Sequence, residues 1–383
     1  MKKILIILLA LAMVFGLAAC GNGNGGNQQA PPAQDANGEN GTADVVEEEL
    51  IVGFILIGSI TDGGFTQAHY EGLRNMEAHF GGRVRAIFME SVPAADSGRV
   101  RSAGEGLIDM GARVVIGNSF GYMPVMNDMA QDFPDVTFLH FSGNMSNDTN
   151  FDNFFGSMEE PRFLTGMVAG MMTESNILGY VGAFPNTEVL IGINAFALGA
   201  QYVNPDAVVE VIFINAWGDA VREREAAETL LDMGADVIAQ HTDSPGPIIA
   251  AEERGAFGIA YNLDKPDSAP GAYLTAPVWN HGAYYIKVIE QILAGTFRPF
   301  SFYGTMADGY VDIAPLTHLV PNDVREVVMA TRDRMLRGEF HPFSVEVYFA
   351  DGTLFSPAGE TPDRAKIWTI EQAVRGVNAV IEN

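Results

Sequence analysis

The sequence contains little cysteine, little positive charge and few long apolar runs. Cys20 is the single cysteine among 383 residues, so the chain cannot form an internal disulfide. Only 22 Lys and Arg stand against 48 Asp and Glu, which gives a formal net charge of -26. Such a chain repels polyanions overall, so we set nucleic-acid binding aside. Beyond the N-terminus no apolar run approaches the roughly 20 residues that span a bilayer, and we expect no integral membrane segment.

Motifs for catalysis and metal binding are also missing. The seven histidines are scattered, without HExxH or another paired spacing, so we expect no metal and no cofactor. Ser244 lacks the first glycine of a nucleophile elbow, and Pro245 removes an N–H that an oxyanion hole would use. His241 and Asp243 stay open as an acid and base pair, but no nucleophile accompanies them. We therefore expect that the protein is not an enzyme.

The N-terminus has the order of charges and apolar residues that is typical of an export signal. Lys2 and Lys3 precede an apolar run, and small residues end at Cys20, which resembles the lipobox of bacterial lipoproteins. We predict a signal peptide over residues 1–19 and lipidation at Cys20, with an ordinary secretion signal as the alternative. Two or more acyl chains would hold the protein at the extracytoplasmic face of the cell membrane. Residues 20–49 are poor in aliphatic side chains and predict a flexible tether.

One ten-residue stretch occurs twice in the chain. LIDMGARVVI at residues 107–116 is followed 123 positions later (230 − 107) by LLDMGADVIA at residues 230–239. In each copy a helix-period segment ends at a glycine and leads into a β-branched run, which indicates helix followed by strand. A repeat of this length predicts two similar lobes, not a solenoid. The fold class we expect is α/β, with two Rossmann-like lobes joined by a hinge.

The chain continues beyond a complete second lobe, so we expect it to cross between the lobes more than once. We predict lobe one at residues 50–175 plus 272–308, and lobe two at residues 176–271 plus 309–383. Thr369 has the character of a helix cap, and it predicts a last helix after it. Several crossings would form the hinge.

Polar and aromatic residues follow several of the predicted strands. Phe65 comes from lobe one and Trp217 from lobe two, and two flat rings on opposite walls can hold a flat heteroaromatic ligand by stacking. The alternative is that each ring is a core or interlobe residue, and that each Asp is a helix cap or part of a turn. Besides these two rings, the candidate ligand-binding residues are Asp62, Gly64, Asn118, Ser119, Phe184, His241, Asp243, Asn262 and Trp279.

Six segments in order resemble the basic membrane protein family, the substrate-binding lipoproteins of bacterial ABC importers. The resemblance covers nearly everything from Leu50 to the C-terminus, and it implies the type I periplasmic-binding-protein fold. The segments are Asp62–Phe65, Gly192–Phe196, Val203–Asp206, Trp217–Asp219, Gly234–Ile238 and Gln240–Gly246.

The resemblance implies a purine nucleoside or nucleobase as ligand. It implies that Phe65 and Trp217 fill the positions of the stacking rings, and that Asp62, Asn118 and Asp243 contact the base. Nucleoside-binding members carry a lysine before the long helix, where this chain reads TAPVWN at residues 275–280. That departure favours a free base such as adenine, while nucleosides stay open.

The partners that the resemblance implies are an ABC permease and its ATPase, with the protein itself as a monomer. Two other functions stay open. One is a ligand-sensing surface lipoprotein of the same fold without a transport role, and the other, less favoured, is a purine-nucleoside hydrolase.

Overall fold

The structure is a computed structural model that describes residues 49–381. The predicted signal peptide, Cys20 and almost all of the predicted tether lie outside the described residues. The strands are β1 (Leu50–Ile55), β2 (Val84–Met89), β3 (Val114–Gly117), β4 (Thr137–Phe141), β5 (Phe151–Gly156), β6 (Ile177–Gly182), β7 (Val208–Phe213), β8 (Val237–His241), β9 (Phe257–Ile259), β10 (Tyr273–Thr275), β11 (Pro277–Trp279), β12 (Phe302–Gly304), β13 (Val311–Ile313), β14 (Val347–Tyr348), β15 (Leu354–Ser356) and β16 (Val377–Asn378).

The helices cover both faces of the sheets that these strands form. They are α1 (Phe65–Phe80), α2 (Ser97–Asp109), α3 (Met123–Asp132), α4 (Glu159–Met172), α5 (Thr187–Val203), α6 (Ala220–Asp232), α7 (Gly246–Glu253), α8 (His281–Leu293), α9 (Asn322–Leu336) and α10 (Arg364–Ile367). Within residues 49–381, none of them has the length and apolar character that crossing a membrane requires.

Over residues 49–381, the two main sheets each contain six strands. Their orders are β12-β5-β4-β3-β1-β2 and β10-β9-β8-β6-β7-β16, and the strands within each pair in parallel. The inner strands β3 and β8 are buried along their whole length, because helices lie on both faces of a parallel sheet. The expected α/β class with two Rossmann-like lobes is confirmed.

The ten-residue repeat builds the same unit in both lobes. Asp96 begins α2 and Asp219 begins α6, and each side chain accepts the backbone N–H three residues on, at 3.0 Å and 3.2 Å. Gly111 and Gly234 follow these helices with φ of 97° and 100°, a left-handed conformation that glycine adopts without strain. The helix therefore stops at the same point in both copies, and the chain turns directly into β3 and β8.

The chain passes between the lobes at several points. After β5 it enters α4, which packs against α5 and α9. Gly166 and Gly199 allow this close approach, because a Cβ atom at either position would collide with a carbonyl oxygen of the other helix. Later, α8 packs against α1, and β12 pairs with β5. Strands β11 and β13 form an antiparallel ribbon beside the crossings.

These contacts bear on the predicted lobe boundaries. Strand β10 pairs with β9 in the second sheet, although the prediction starts the returning segment at residue 272. Helix α4 packs on elements of the second lobe, although the prediction keeps residues up to 175 in the first. The exact boundaries stay a proposal, and the contacts support crossings just after β5 and just before α8.

The predicted last helix after Thr369 is wrong. The final helix, α10, precedes that residue and is capped by Asp363, whose side chain accepts the Lys366 N–H at 2.8 Å. Beyond it, Val377 and Asn378 pair with β7 as the edge of the second sheet. Pairing with an open sheet edge overrides the local helical tendency of this segment.

Candidate functional site

A cleft of about 570 Å³ lies where the carboxyl ends of both sheets meet. Ligands of open α/β folds bind at this edge of a parallel sheet, because the loops after the strands converge there. Six of its twelve lining residues are aromatic. The lining residues are Ile57, Phe65, Asn118, Ser119, Phe120, Phe141, Ser142, Glu188, Trp217, Asp243, Tyr261 and Trp279.

Six of the residues predicted from the sequence line this cleft: Phe65, Asn118, Ser119, Trp217, Asp243 and Trp279. Phe65 begins α1 in lobe one, and Trp217 follows β7 in lobe two, with 39% of its surface exposed. The cleft therefore receives one of these two rings from each lobe.

Five predicted residues do not line the cleft: Asp62, Gly64, Phe184, His241 and Asn262. Asp62 accepts three backbone N–H groups at the start of α1, from Gly64, Thr66 and Gln67, at 2.9 Å to 3.0 Å. Both of its oxygens are thus used to hold the loop and the helix end. Phe184 packs edge-on against Trp217 with the ring centroids 5.4 Å apart. These two residues support the wall of the cleft from behind.

Gly64 lies at a contact between the lobes. A Cβ atom there would collide with the carbonyl oxygen of Asp243. Close to Gly64, Lys265 of lobe two donates a hydrogen bond from Nζ to Oε1 of Gln67 in lobe one, at 2.7 Å. Beside the cleft the two lobes therefore touch, and they do so without a side chain at position 64.

Asn262 joins two of the lining residues. Its side-chain amide donates to Oδ1 of Asp243 at 3.2 Å, and its carbonyl oxygen accepts the indole N–H of Trp279 at 3.1 Å. Its backbone has φ of 72°, a left-handed conformation in which asparagine is tolerated better than most residues. This side chain fixes the positions of a carboxyl group and a ring that both face the cleft.

The loop that carries Asp243 is held by a buried carboxylate. Glu223 of α6 is fully buried, and it accepts the N–H of Ser244 at 3.1 Å, the Ser244 hydroxyl at 2.8 Å and the N–H of Asp219 at 2.9 Å. The N–H of Asp243 donates in turn to the carbonyl of Trp217 at 3.0 Å. One carboxylate thus links the loops that present Trp217 and Asp243.

Two polar groups of the cleft have unused hydrogen-bonding capacity. Burial raises the pKa of the Asp243 carboxyl well above its usual range, and the charges of Asp62 and Glu223 raise it further. Asn118 uses its oxygen to accept the N–H of Ile57 at 2.8 Å, but its buried amide nitrogen has no partner among the described residues. A ligand here meets an amide donor from lobe one and a carboxyl group from lobe two.

Six of the lining residues are not among those predicted from the sequence: Ile57, Phe120, Phe141, Ser142, Glu188 and Tyr261. Phe141 and Ser142 end β4, and Tyr261 lies just beyond β9, so the rule that ligands meet strand ends could have found them. Glu188 lies in the first turn of α5, where an acidic residue is expected for helix stability alone. Nothing in the local pattern marks it as a cleft residue.

A smaller cavity of about 280 Å³, the inner chamber, lies behind the cleft and shares Glu188 and Tyr261 with it. His241 also lines it, and neither ring nitrogen of His241 has a partner among the described residues. Burial lowers the pKa of His241 well below its usual value, and the charge of Arg162 lowers it further. The imidazole is therefore neutral and free to donate or accept.

Arg162 is fully buried and lies beside Tyr261 and Gly192, two residues that line the inner chamber. Its guanidinium carbon is 3.9 Å from the centre of the Tyr261 ring, and Nη1 donates to the Gln240 carbonyl at 2.6 Å. Its Nε and Nη2 have no hydrogen-bond partner within residues 49–381. Over the same part of the chain, no group of three or more His, Cys, Asp or Glu is placed to hold a metal ion.

Two α/β lobes with a cleft at the meeting strand ends are the architecture of a class of proteins that bind small molecules. The chain belongs to the Bmp family, described as PnrA-like ABC transporter substrate-binding proteins, which matches residues 50–329. This confirms the resemblance to the basic membrane protein family.

Known proteins similar to this chain include two sequence relatives. The purine-binding protein of Brucella abortus is 37% identical over 340 residues, covering 88% of this chain and 95% of the relative. A protein of Haloferax volcanii, named as a proposed glucose-binding protein of an ABC transporter, is 35% identical over 293 residues, covering 76% and 73%.

The fold is also found in a solved structure of a solute-binding protein from Conexibacter woesei. The TM-score is 0.65 at 24% identity, covering 76% of this chain and 98% of that one. By its family, the chain is a substrate-binding protein of an ABC transporter, which binds a small molecule and works with a permease.

Proposed function

We propose that the protein captures a purine in the interlobe cleft, at the extracytoplasmic face of the membrane, and delivers it to an ABC permease. The observation that carries the proposal is the pairing of Phe65 from lobe one with Trp217 from lobe two along one cleft. Aromatic side chains hold planar bases by stacking, which contributes about 1–3 kcal/mol per base. The purine-binding relative supports the same ligand class.

The charge of the cleft supports a ligand without phosphate. None of its described lining residues is Lys or Arg, whereas Glu188 and Asp243 contribute carboxyl groups. A phosphate group would meet no cation in this wall and two acidic groups, which is unfavourable in a partly buried site. Nucleobases and nucleosides meet this condition, and nucleotides do not.

The position of Trp279 favours a free base over a nucleoside. Only 7% of its surface is exposed, its indole N–H is held by Asn262, and its ring stacks on His281 with the centroids 5.5 Å apart. A ring fixed at this position reduces the space beside the base where a ribose would lie. No lysine is among the described lining residues to contact a ribose. We propose adenine or a similar base as the ligand, with a nucleoside as the alternative.

A binding role without catalysis agrees with the surroundings of the candidate acid, base and nucleophile. The Ser244 hydroxyl donates to Glu223, and Ser244 does not line the cleft. His241 faces the inner chamber and Asp243 the cleft, so the three groups do not converge on one point of the cleft wall. A purine-nucleoside hydrolase would need such a convergence.

The test is to identify what the protein binds. Denaturing the purified protein and analysing the released small molecules by mass spectrometry should yield a purine. Calorimetric titration of ligand-free protein with adenine, guanine, hypoxanthine, adenosine and glucose should then show tightest binding for a base. Glucose binding without purine binding would overturn the purine proposal and favour the ligand class of the Haloferax relative.

Anchoring and delivery need separate experiments. We propose that Cys20 carries the lipid anchor, so a Cys20→Ser change should move the protein from the membrane fraction to the soluble fraction. Loss of purine uptake in cells that lack this protein would support import. Unchanged uptake together with an altered response to purines would favour the ligand-sensing alternative.

A further inference from the structure

Glu188 occupies the boundary between the cleft and the inner chamber. It lines both cavities, together with Tyr261, and it reaches this place because Asn186 caps α5 and turns the first helical residues towards the cleft. The Asn186 side chain accepts the N–H of Val189 at 3.0 Å, which fixes the helix start. The carboxyl group is therefore presented by a rigid element.

The surroundings of Glu188 leave its carboxyl group available. Burial raises its pKa to about 7, and the charge of Arg162 acts in the opposite direction. Arg162 nevertheless keeps Nε and Nη2 without a hydrogen-bond partner among the described residues, so the two side chains do not form a direct hydrogen-bonded pair. A carboxyl group that only stabilised the fold would be expected to use such a neighbour.

The groups behind Glu188 form a polar but unsatisfied environment. Arg162 is fully buried and His241 is 2% exposed, and both have nitrogen atoms without partners in the described part of the chain. The other titratable groups nearby are Asp243, whose pKa the charge of Glu188 raises, Tyr261, and Glu159 and Tyr303, which line the inner chamber with Glu188. Buried polar groups of this kind gain most from a ligand or water that completes their hydrogen bonds.

We propose that Glu188 is a specificity-determining residue of the cleft, whose carboxylate accepts N–H groups from the edge of the bound base. Arg162 is then the positive charge that supports the carboxylate, and His241, which lines the inner chamber, is a neutral partner. The inference rests on the proposed purine ligand, and it adds which residue recognises the hydrogen-bonding edge of the base.

The ligand chemistry follows from the acceptor character of a carboxylate. Its oxygens accept N–H groups and donate nothing, so they favour a base with an exocyclic amine or a ring N–H beside an exocyclic group. Adenine, guanine and hypoxanthine each offer such an edge. Unsubstituted purine keeps the flat ring system, and therefore the stacking, but lacks the exocyclic group.

The experiment couples a change in the protein to a change in the ligand. Dissociation constants for adenine, guanine, hypoxanthine and unsubstituted purine are measured by titration calorimetry with the wild-type protein and with Glu188→Gln. We expect Glu188→Gln to weaken binding of the preferred substituted base about 10- to 100-fold, as for loss of a charged hydrogen bond, and to leave unsubstituted purine within about threefold. Glu225→Gln, at an exposed position of α6, is the matched control and should change neither value.

The pH dependence gives a second readout that a purely structural role would not affect. Guanine presents a ring N–H beside an exocyclic amine, and two donors favour the ionised carboxyl, so the wild-type affinity for guanine should rise as the pH increases through about 7, the pKa of Glu188. In Glu188→Gln this rise should be smaller by the contribution of that group, while any effect of Asp243 stays.

The possible outcomes separate the two proposals. An equal loss of affinity for all four ligands, or no loss for any, overturns the role of Glu188 while the purine proposal stands. Failure of the wild-type protein to bind any of the four overturns the purine proposal and this inference with it. If Glu188→Gln does not fold, as checked by circular dichroism, Glu188→Asp retains the carboxyl and should show the same ligand ranking with a smaller loss.

Discussion

The two copies of the α/β unit share a backbone plan but differ in charge at a buried position in the first turn of the helix. Val100 of α2 and Glu223 of α6 correspond, since each lies four residues after the capping aspartate, and both are fully buried. Val100 packs in the core of lobe one, whereas Glu223 holds the loop of Asp243 through Ser244. The duplicated unit keeps its frame in both lobes, and a single carboxylate changes one copy into a support for binding groups.

The two walls of the cleft also differ in how their carboxyl groups are used. Asp62 of lobe one uses both oxygens to hold the start of α1, so this wall is fixed before any ligand arrives. Asp243 and Glu188 of lobe two are half-buried carboxyl groups, and desolvation raises the pKa of both. Lobe one therefore offers a preorganised surface, and lobe two offers carboxyl groups that hold a proton more readily than usual.

The largest effect is expected from removing one of the two rings. Trp217→Ala should weaken purine binding roughly tenfold or more, since stacking contributes about 1–3 kcal/mol per base. Phe65→Ala should have an effect of the same order if both lobes clasp the base. Titration calorimetry measures both, and Trp217→Phe, which keeps a ring, should lose less. Unchanged affinity in Trp217→Ala would show that Trp217 does not stack on the base, and that the base is not held between rings from both lobes.

The second effect concerns the position at which the copies differ. Glu223→Gln should lower the free energy of unfolding by about 1–3 kcal/mol, because a buried acceptor of three hydrogen bonds is altered. It should also weaken ligand binding through the Asp243 loop. Urea unfolding and titration test this, with Glu228→Gln as control, because Glu228 is half-exposed and pairs only with Arg224 at the surface, so less than about 1 kcal/mol is expected. Equal results for both variants would show that the loop does not depend on Glu223.

The third effect is a pH dependence of stability from Glu160, which lies in α4, outside both copies of the repeat. Burial raises the pKa of Glu160 to about 8, although its carboxylate accepts the N–H of Met306 at 2.7 Å. The folded state then binds more protons than the unfolded state between the ordinary pKa of a glutamate, 4.5, and about 8. The free energy of unfolding should therefore fall as the pH rises through this window, by at most about 1.4 kcal/mol per pH unit for one group.

Glu160→Gln tests this assignment. Urea unfolding between about pH 5 and about pH 8 should give a flatter dependence for Glu160→Gln than for the wild type. Parallel curves for the two proteins would mean that Glu160 does not carry the pH dependence.

The smallest effect is expected at the hydrogen bond between the lobes. Lys265→Met removes the donor to Gln67 and should weaken ligand binding about two- to tenfold, mainly through faster release, because it favours the open form. Stopped-flow fluorescence measures the release rate. Lys287→Met is the matched control, because Lys287 lies over the Phe302 ring, and Phe302 does not line the cleft. A release rate that is equal in both variants would show that this contact does not contribute to closure.

The sequence predicts the parts of the fold that follow from local patterns. The repeat and its glycines predict two parallel α/β units, and both units are present. The last helix after Thr369 fails because the edge of the second sheet competes for that segment. The exact crossing points also depend on long-range packing of α4 and α8, which no local pattern encodes.

The site is predictable where it depends on strand ends and less so elsewhere. Phe65, Asn118 and Trp217 follow strands, and all three line the cleft. Asp62 shows the limit of this reasoning, because an aspartate that caps a helix and one that binds a ligand have the same local sequence context. Glu188 shows the converse. An acidic residue in a first helical turn is common, so its sequence does not predict that it lines a cavity, and only the structure shows that it does.

The missing side chain at Gly64 has a consequence for how transport could be dissected. Because a Cβ atom there would collide with the Asp243 carbonyl oxygen, a single added methyl group would keep the lobes apart while leaving the side chains of both walls unchanged. Ligand binding and delivery to the permease could then be studied separately, by comparing the wild-type protein, which can close, with a Gly64→Ala variant, which cannot close fully.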